Sequence, residues 1–155
     1  MDEPTILNWQ RYGPTLTTSG QPREVDIAAL ADLGVRHVVN LALHSHPQAL
    51  PDEAASVAAA GMRYTHIPVE FDAPQETDYA RFRELMDARG DEPMHVHCIV
   101  NARVTAFMNR YRRERGCDAE TARAEMERVW RPGGVWARFI GTDDTGDHLY
   151  AGRHY

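Results

Sequence analysis

The feature that most constrains the fold is a unit that occurs three times, in which a predicted helix ends at glycine and a short apolar strand follows. The glycines are Gly34, Gly61 and Gly90. Glycine is favoured just past a helix end because it reaches positive φ without a steric clash. The strands that follow are predicted at residues 35–41, 62–69 and 94–97. Alternating helices and short apolar strands indicate the α/β class, with a short, mainly parallel central sheet flanked by helices.

The rest of the chain completes one domain around this sheet. Residues 6–19 are predicted as edge β structure with a turn at Gly13 and Pro14. Asp118 is expected to cap a helix that contains Met126, and residues 135–140 to add a last apolar turn. The other helices are predicted at residues 23–33, 51–60, 76–89 and from 104 onward.

Length and composition indicate a soluble globular protein. The 155 residues are 43% hydrophobic and 26% charged, which suits one domain at residues 1–140 and a polar tail at 141–155. A net charge of −6 argues against nucleic acid or an anionic membrane as a partner. No leader or membrane-spanning run is recognised, and two cysteines favour a reducing cytoplasm. The oligomeric state is left open.

The stretch at residues 94–107 carries the clearest chemical pattern. A buried strand runs directly into Cys98, a tight loop follows at residues 98–103, and a helix is expected to begin at Val104. Backbone N–H groups of such a loop, together with a helix N-terminus, bind anions. Beside them a thiol is favoured as the reactive thiolate, and Arg103 adds a planar cation suited to two phosphate oxygens.

Three segments are predicted to meet at one edge of the sheet. Ligands of open α/β sheets lie at the carboxyl ends of the strands. The segments at this edge are residues 42–49, 70–74 and 98–103. We therefore expect the phosphate-binding loop between the last parallel strand and the central helix, with its partners on the other two segments.

At these residues the sequence resembles the cysteine-dependent protein tyrosine phosphatase superfamily. The match rests on His97-Cys98 followed by Asn101, Arg103 and Thr105, and it is similar to small bacterial dual-specificity-like phosphatases with a His-Cys-x-x-Asn-x-Arg loop. Residues 19–22 (Ser-Gly-Gln-Pro) and 66–69 (His-Ile-Pro-Val) extend the likeness over about residues 8–140.

The resemblance implies a phosphomonoester hydrolase that works without a metal or other cofactor. Cys98 would be the nucleophile that forms a phosphocysteine, and Arg103 would bind the phosphate. Asp72 would be the general acid, with Glu70 as the second candidate. His97 would orient the loop, and Thr105 would either bond the sulfur or its own helix backbone. The expected substrate-binding residues are His97, Ile99, Val100, Asn101, Ala102, Arg103 and Thr105.

The loop departs from the superfamily pattern at two places. Only four residues separate Cys98 from Arg103, where the superfamily has five. Either the loop is one residue short, or the arginine has moved by one and Val104 fills its slot; the place of Thr105 favours the second. Asn101 replaces a glycine, and asparagine is one of the few residues that tolerate the left-handed region.

Several alternatives stay open at this point. The substrate is a phosphorylated protein, with phosphotyrosine or phosphoserine/threonine, or a small phosphomonoester. A catalytically weak phosphate- or phosphopeptide-binding module would use the same loop, and so would a rhodanese- or arsenate-type thiol enzyme, for which only Cys117 could serve as a partner thiol. The histidines match no closed zinc pattern. The arginines at 110, 112, 113 and 115 are predicted to form a solvated helix face, or else a surface on which an acidic partner docks.

Overall fold

The computed structural model describes residues 3–143 and contains, within them, five strands and six helices. Of the predicted tail, residues 144–155 lie outside this description. The strands are β1 (Gln10–Gly13), β2 (Leu16–Ser19), β3 (His37–Asn40), β4 (Arg63–His66) and β5 (Met94–His97). The helices are α1 (Glu24–Asp32), α2 (Glu53–Ala59), α3 (Glu76–Ala88), α4 (Ala102–Glu114), α5 (Ala119–Glu127) and α6 (Gly134–Ile140).

The five strands form one sheet in the order β1-β2-β5-β3-β4. All neighbours pair in parallel except β1, which is antiparallel to β2. The predicted α/β class with a short, mainly parallel sheet is confirmed. The prediction of edge structure for residues 6–19 holds for β1 only, since β2 lies inside the sheet against β5, a pairing that local sequence does not reveal.

Helices cover both faces of the sheet, as the alternation of side chains in β3 requires. Neighbouring strand residues point to opposite faces. Val38 packs in a cluster with residues of α1 and α2, and Val39 in a larger cluster with residues of α3 to α6. Both valines are fully buried, and each contributes on the order of 1.5–3 kcal/mol of hydrophobic free energy.

The predicted element ends are close to those observed. The glycines after α1, α2 and α3 all have positive φ, and Asp118 caps α5 by accepting from the N–H groups of Glu120 and Thr121. The predicted start of α4 at Val104 is wrong, and this changes the place of Arg103. Helix α4 begins at Ala102, so Arg103 lies in its first turn and not in the preceding loop.

The arginines at 110, 112, 113 and 115 lie on α4 or directly after it and connect helices, while the side chains of Arg110, Arg112 and Arg115 are 20%, 34% and 52% exposed. Each binds a partner within the chain, which ties α4 to α3, α5 and α6. The pairs are Arg110 with Glu76, Arg112 with Glu125, Arg113 with Asn109 and the Ile140 carbonyl, and Arg115 with Asp87. Separately, no helix in residues 3–143 is long and apolar enough to cross a membrane.

Candidate active site

The three predicted segments meet at the carboxyl edge of the sheet. Cys98 directly follows β5, which lies in the middle of the sheet. A cavity of about 230 Å³ opens at this edge beside Arg103. It is lined by Leu43, Ser45, His46 and Pro47 from the first segment, by Glu70, Phe71 and Asp72 from the second, and by Arg103.

The loop after Cys98 is held from its outer side by the N-terminal part of the chain. The N–H of Gln21 donates to the carbonyl of Ile99 at 2.9 Å, and Asn8 Nδ2 donates to the carbonyl of Val100 at 2.8 Å. Gly20 approaches so closely that a Cβ there would lie 2.5 Å from the Ile99 oxygen. Asn8, Gly20 and Gln21 therefore position the loop through its carbonyl groups.

Asn101 makes the turn that the sequence predicted for it. Its backbone is left-handed, with φ 70° and ψ 9°. Its Nδ2 donates to the carbonyl of Asn8 at 2.8 Å and to Thr18 Oγ1 at 3.0 Å. The carbonyls of Ile99 and Val100 accept hydrogen bonds from the N-terminal part of the chain. By contrast, the N–H groups of Ile99, Val100 and Asn101 donate to no backbone acceptor within residues 3–143. They are available to an anion.

Arg103 is a fixed, buried cation. Only 1% of the residue is exposed, and Nη1 donates to the carbonyl of Val69 at 2.8 Å. Its guanidinium carbon lies 5.6 Å from the centre of the Phe71 ring, within the range of cation–π attraction. The buried Nε and Nη2 have no hydrogen-bond partner in the described part of the chain. These two donors thus lie inside the domain without a nitrogen or oxygen partner, in an arginine that also lines the cavity.

The arginine lies next to the cysteine despite the altered spacing. Burial lowers the pKa of Arg103, and the neighbouring Cys98 sulfur and Glu70 carboxylate act in the opposite direction. Arginine remains a cation under such a shift. Cys98 itself is fully buried, and Val104 points into the core of the domain with no exposed surface. Arg103 and not Val104 is thus the residue that faces the sulfur.

The segment 70–74 presents two carboxylates to the cavity. Glu70 and Asp72 are exposed, while Phe71 between them is buried. Trp136 of α6 donates from Nε1 to the carbonyl of Phe71 at 2.6 Å, and the Phe71 ring packs against the Trp136 ring. The position of both carboxylates is therefore set by α6, which the sequence does not indicate.

His97 joins the loop to helix α2. Its Nδ1 lies 3.0 Å from the carbonyl oxygen of Cys98, and its Nε2 lies 2.6 Å from Glu53 Oε2. The other oxygen of Glu53 accepts from Gln21 Nε2 at 2.9 Å. Burial raises the pKa of Glu53, but His97 and Gln21 outweigh that effect and the pKa lies below its ordinary value. The sequence analysis missed Glu53, which resembles any acidic residue of a helix first turn.

His95 faces the same side of β5 as His97 but has different partners. Its Nδ1 lies 2.8 Å from Thr17 Oγ1 and its Nε2 lies 2.8 Å from Ser19 Oγ. Because the Ser19 hydroxyl donates to the carbonyl of Gly20, it accepts from His95. Burial, and then the nearby His97, hold the pKa of His95 well below its ordinary value. His95 is therefore neutral.

Thr105 makes the second of the two interactions considered for it. Its hydroxyl donates to the carbonyl of Ala102 at 3.0 Å, within the same helix, and accepts from Trp130 Nε1 at 3.1 Å. The residue has no exposed surface. Thr105 thus links the first turn of α4 to Trp130, and its hydroxyl is not directed at the sulfur of Cys98.

Two further histidines at this edge, His44 and His66, contact one another. The rings of His44 and His66 stack with their centres 3.7 Å apart. His44 also bonds the Tyr64 hydroxyl, and His66 bonds the carbonyl of Ala42. In residues 3–143, no three His, Cys, Asp or Glu side chains lie together in a way that could hold a metal ion.

Comparison with known proteins gives these features a context. A family model described as "DSP-PTPase phosphatase fused to NAD+ Kinase" matches residues 10–136. No curated protein matches the chain. Among solved structures, a candidate phosphatase (DUF442) from Shewanella putrefaciens is 33% identical, covers 77% of this chain and 78% of its own, and has a TM-score of 0.71.

Two further structures are similar. P. aeruginosa TpbA, as a cysteine-to-serine form in complex with phosphotyrosine, is 27% identical, covers 78% of this chain and 72% of its own, and has a TM-score of 0.63. The core catalytic domain of the S. cerevisiae PP-IP phosphatase Siw14 is 14% identical, with 90% and 86% coverage and a TM-score of 0.74. At that identity the likeness shows the fold alone. The family match and the site together lead to one assignment: the chain belongs to the DSP-PTPase phosphatases, within the cysteine-dependent protein tyrosine phosphatase superfamily.

Proposed function

We propose that this phosphatase hydrolyses phosphomonoesters through a phosphocysteine intermediate on Cys98. One observation carries the proposal. A buried guanidinium, fixed by Val69, lies beside the sulfur of Cys98, and two of its donors have no nitrogen or oxygen partner in the described part of the chain. The same arginine lines a cavity of about 230 Å³. A phosphate group needs such a cation because negative charge spreads over its non-bridging oxygens during transfer.

In the first step, the Cys98 thiolate attacks phosphorus. An S–P bond forms while the bond from phosphorus to the leaving oxygen breaks. Arg103 and the N–H groups of residues 99–102 hold the non-bridging oxygens, and His97 keeps the start of the loop in place. Asp72 donates a proton to the leaving oxygen, with Glu70 as the other candidate.

In the second step, water attacks the phosphocysteine. The same carboxylate, now ionised, accepts a proton from the water as the new P–O bond forms. The S–P bond breaks and the electron pair returns to sulfur. Phosphate leaves, and the thiolate and the protonated carboxyl are restored. No metal or other cofactor takes part in this scheme.

We further propose a phosphorylated protein as the substrate, with phosphotyrosine favoured over phosphoserine or phosphothreonine. Leu43, Pro47 and Phe71 give the cavity apolar sides that suit an aromatic leaving group. The phosphotyrosine complex of the similar TpbA supports this choice. Both cysteines are free thiols, which agrees with action in a reducing cytoplasm.

The test is hydrolysis of p-nitrophenyl phosphate in the presence of a chelator. We expect turnover by the native chain and none by Cys98→Ser, which keeps the shape of the loop but lacks the thiolate. Cys117→Ser is the matched control, because this second thiol lies beyond the C-terminal end of α4. It should have native activity. Loss of activity in both variants, or in neither, would overturn the assignment of Cys98.

The two alternative functions give different results. A phosphate-binding module would show no turnover by the native chain while phosphate or vanadate still bound. A thiol enzyme with a resolving cysteine would need Cys117 near Cys98. Helix α4 has 13 residues and separates the two by about 20 Å, so the fold disfavours that chemistry. Phosphotyrosine and phosphoserine compared at equal concentration would then identify the substrate class.

A further inference from the structure

The ring of His97 has an oxygen acceptor at each nitrogen. Nδ1 lies 3.0 Å from the carbonyl oxygen of Cys98, and Nε2 lies 2.6 Å from Glu53 Oε2. A carbonyl oxygen only accepts hydrogen bonds, so Nδ1 must carry a proton. An ionised carboxylate also only accepts, so Nε2 must carry one too. This geometry requires an imidazolium if Glu53 is ionised.

The surroundings of Glu53 favour the ionised carboxylate. Its second oxygen accepts a hydrogen bond from Gln21 Nε2 at 2.9 Å. The side chains of His97 and Glu53 are 0% and 1% exposed, and an ionised group at that depth must be paired and hydrogen-bonded. Here each carboxylate oxygen has its own donor. The pKa of Glu53 lies below its ordinary value in spite of burial.

We propose that Glu53 is a positioning residue that keeps His97 doubly protonated, so that a buried cation holds the backbone carbonyl of Cys98. This inference rests on the proposed function for its catalytic consequence only. A charged donor makes a stronger hydrogen bond than a neutral one. It also polarises the peptide group between Cys98 and Ile99, which strengthens the Ile99 N–H as a donor to phosphate.

His95 provides an internal comparison on the same face of β5. It lies two residues before His97, and the two ring centres are 6.4 Å apart. His95 has hydroxyl partners, which can donate as well as accept, and it is neutral. His97 differs in having a carboxylate partner at Nε2, which when ionised can only accept a hydrogen bond.

Other ionisable groups act on this pair from three further elements. His44, in the segment between β3 and α2, and His97 both favour the ionised form of Glu53. Burial lowers the pKa of His66 in β4. Glu53 acts in the opposite direction, whereas His44 and His97 lower that pKa further. The remaining neighbours are Cys98 itself, His95 in β5 and Tyr64 in β4. Burial and then Glu53 raise the pKa of the Tyr64 hydroxyl, which therefore stays protonated. Of these neighbours, His44 is exposed and His66 is half-buried.

The first experiment measures the protonation of His97 directly. Nitrogen-15 NMR of the full chain at pH 7 should show protons on both ring nitrogens of His97, with the signal assigned by its loss in His97→Gln. In Glu53→Gln we expect a neutral ring that keeps only the Nδ1 proton, because the amide can donate to Nε2. Glu24→Gln is the matched control: it removes an exposed acid at the start of α1 and should leave His97 unchanged.

The second experiment measures turnover of p-nitrophenyl phosphate. Glu53→Gln should lower kcat on the order of tenfold with KM nearly unchanged, while Glu24→Gln keeps native values. A neutral His97 in the native chain at pH 7 would overturn the proposal, and this measurement needs no variant of Glu53 that folds. An unchanged His97 signal in Glu53→Gln would overturn it as well. If the native chain had no turnover, the proposed function would fail while the NMR result still decided this inference.

Discussion

Arg103 donates a hydrogen bond from Nη1 to the carbonyl oxygen of Val69 across 2.8 Å. This contact joins the first turn of α4 to the residue that precedes the Glu70–Asp72 segment. It uses one donor of the guanidinium and thereby fixes the direction of the others. The cation and the two carboxylates are thus held in one arrangement before any substrate binds, which is the preorganisation that electrostatic catalysis requires.

Replacing Arg103 by lysine should remove most of the turnover. A lysine ammonium can reach one acceptor but lacks the planar fork that holds two phosphate oxygens. We expect Arg103→Lys to lower kcat/KM by roughly 10²–10³-fold and to weaken vanadate binding. Arg110→Lys, on the same helix and paired with Glu76, is the control and should stay close to native. A loss of only a few-fold in Arg103→Lys would mean that the guanidinium does not hold the phosphate.

The general acid can be identified by leaving-group dependence. Asp72→Asn should slow hydrolysis of alkyl phosphates by roughly 10²-fold or more and that of aryl phosphates much less, because a poor leaving group depends more on a proton donor. Glu70→Gln is the matched variant on the same segment. If it shows the selective loss while Asp72→Asn does not, Glu70 is the acid. Equal slowing of both substrate classes by Asp72→Asn would mean that it acts in another way.

Gly20 should be needed for the position of the phosphate-binding loop. A Cβ there would lie 2.5 Å from the carbonyl oxygen of Ile99, so Gly20→Ala must displace the loop. We expect a loss of about 1–3 kcal/mol in unfolding free energy, measured by urea denaturation, together with reduced turnover. At Gly13 a Cβ meets nothing within 4 Å, and Gly13→Ala should be nearly neutral. Similar effects at the two positions would rule out the steric explanation.

His95 should make stability depend on pH on the acid side of neutrality. The folded pKa lies well below the ordinary value, so the unfolded chain binds a proton near pH 6.5 that the folded chain does not. The contribution of His95 to the unfolding free energy is fully present above that pH. It is lost as the pH falls, by up to about 1.4 kcal/mol per pH unit. We expect the stability gap between the native chain and His95→Gln to narrow from pH 7.5 to pH 5. His37 and His66, whose pKa values are also lowered by desolvation, are present in both proteins, so their contributions cancel in the difference. A constant gap would contradict a neutral, buried His95.

Local sequence was sufficient to predict the order of strand, cysteine, loop and helix at the centre of the candidate site. The strand, Cys98 and the loop follow from short-range patterns, and Asn101 was expected to tolerate the left-handed turn that it makes. The reach of Arg103 could not be predicted from spacing alone, because it depends on α4 beginning at Ala102. That boundary turns the arginine toward the sulfur and Val104 toward the core.

The parts that sequence reasoning missed all depend on contacts between distant residues. Residues 19–22 were recognised as part of the resemblance, but their hold on the loop depends on the pairing of β2 with β5. Glu53 is 44 residues from His97, and its type and position do not distinguish it from a solvated helix acid. In the same way, the bond from Trp136 to Phe71 spans 65 residues and leaves no local pattern.

That bond between Trp136 and Phe71 gives the protein an intrinsic optical probe. The indole N–H is attached to the backbone of the segment that presents Glu70 and Asp72, so any displacement of that segment must lengthen or break the bond. Indole emission responds to the loss of such a partner. The fluorescence of Trp136, separated from that of Trp9 and Trp130 by replacing those two with phenylalanine, would therefore report whether the segment stays in place when an oxyanion binds.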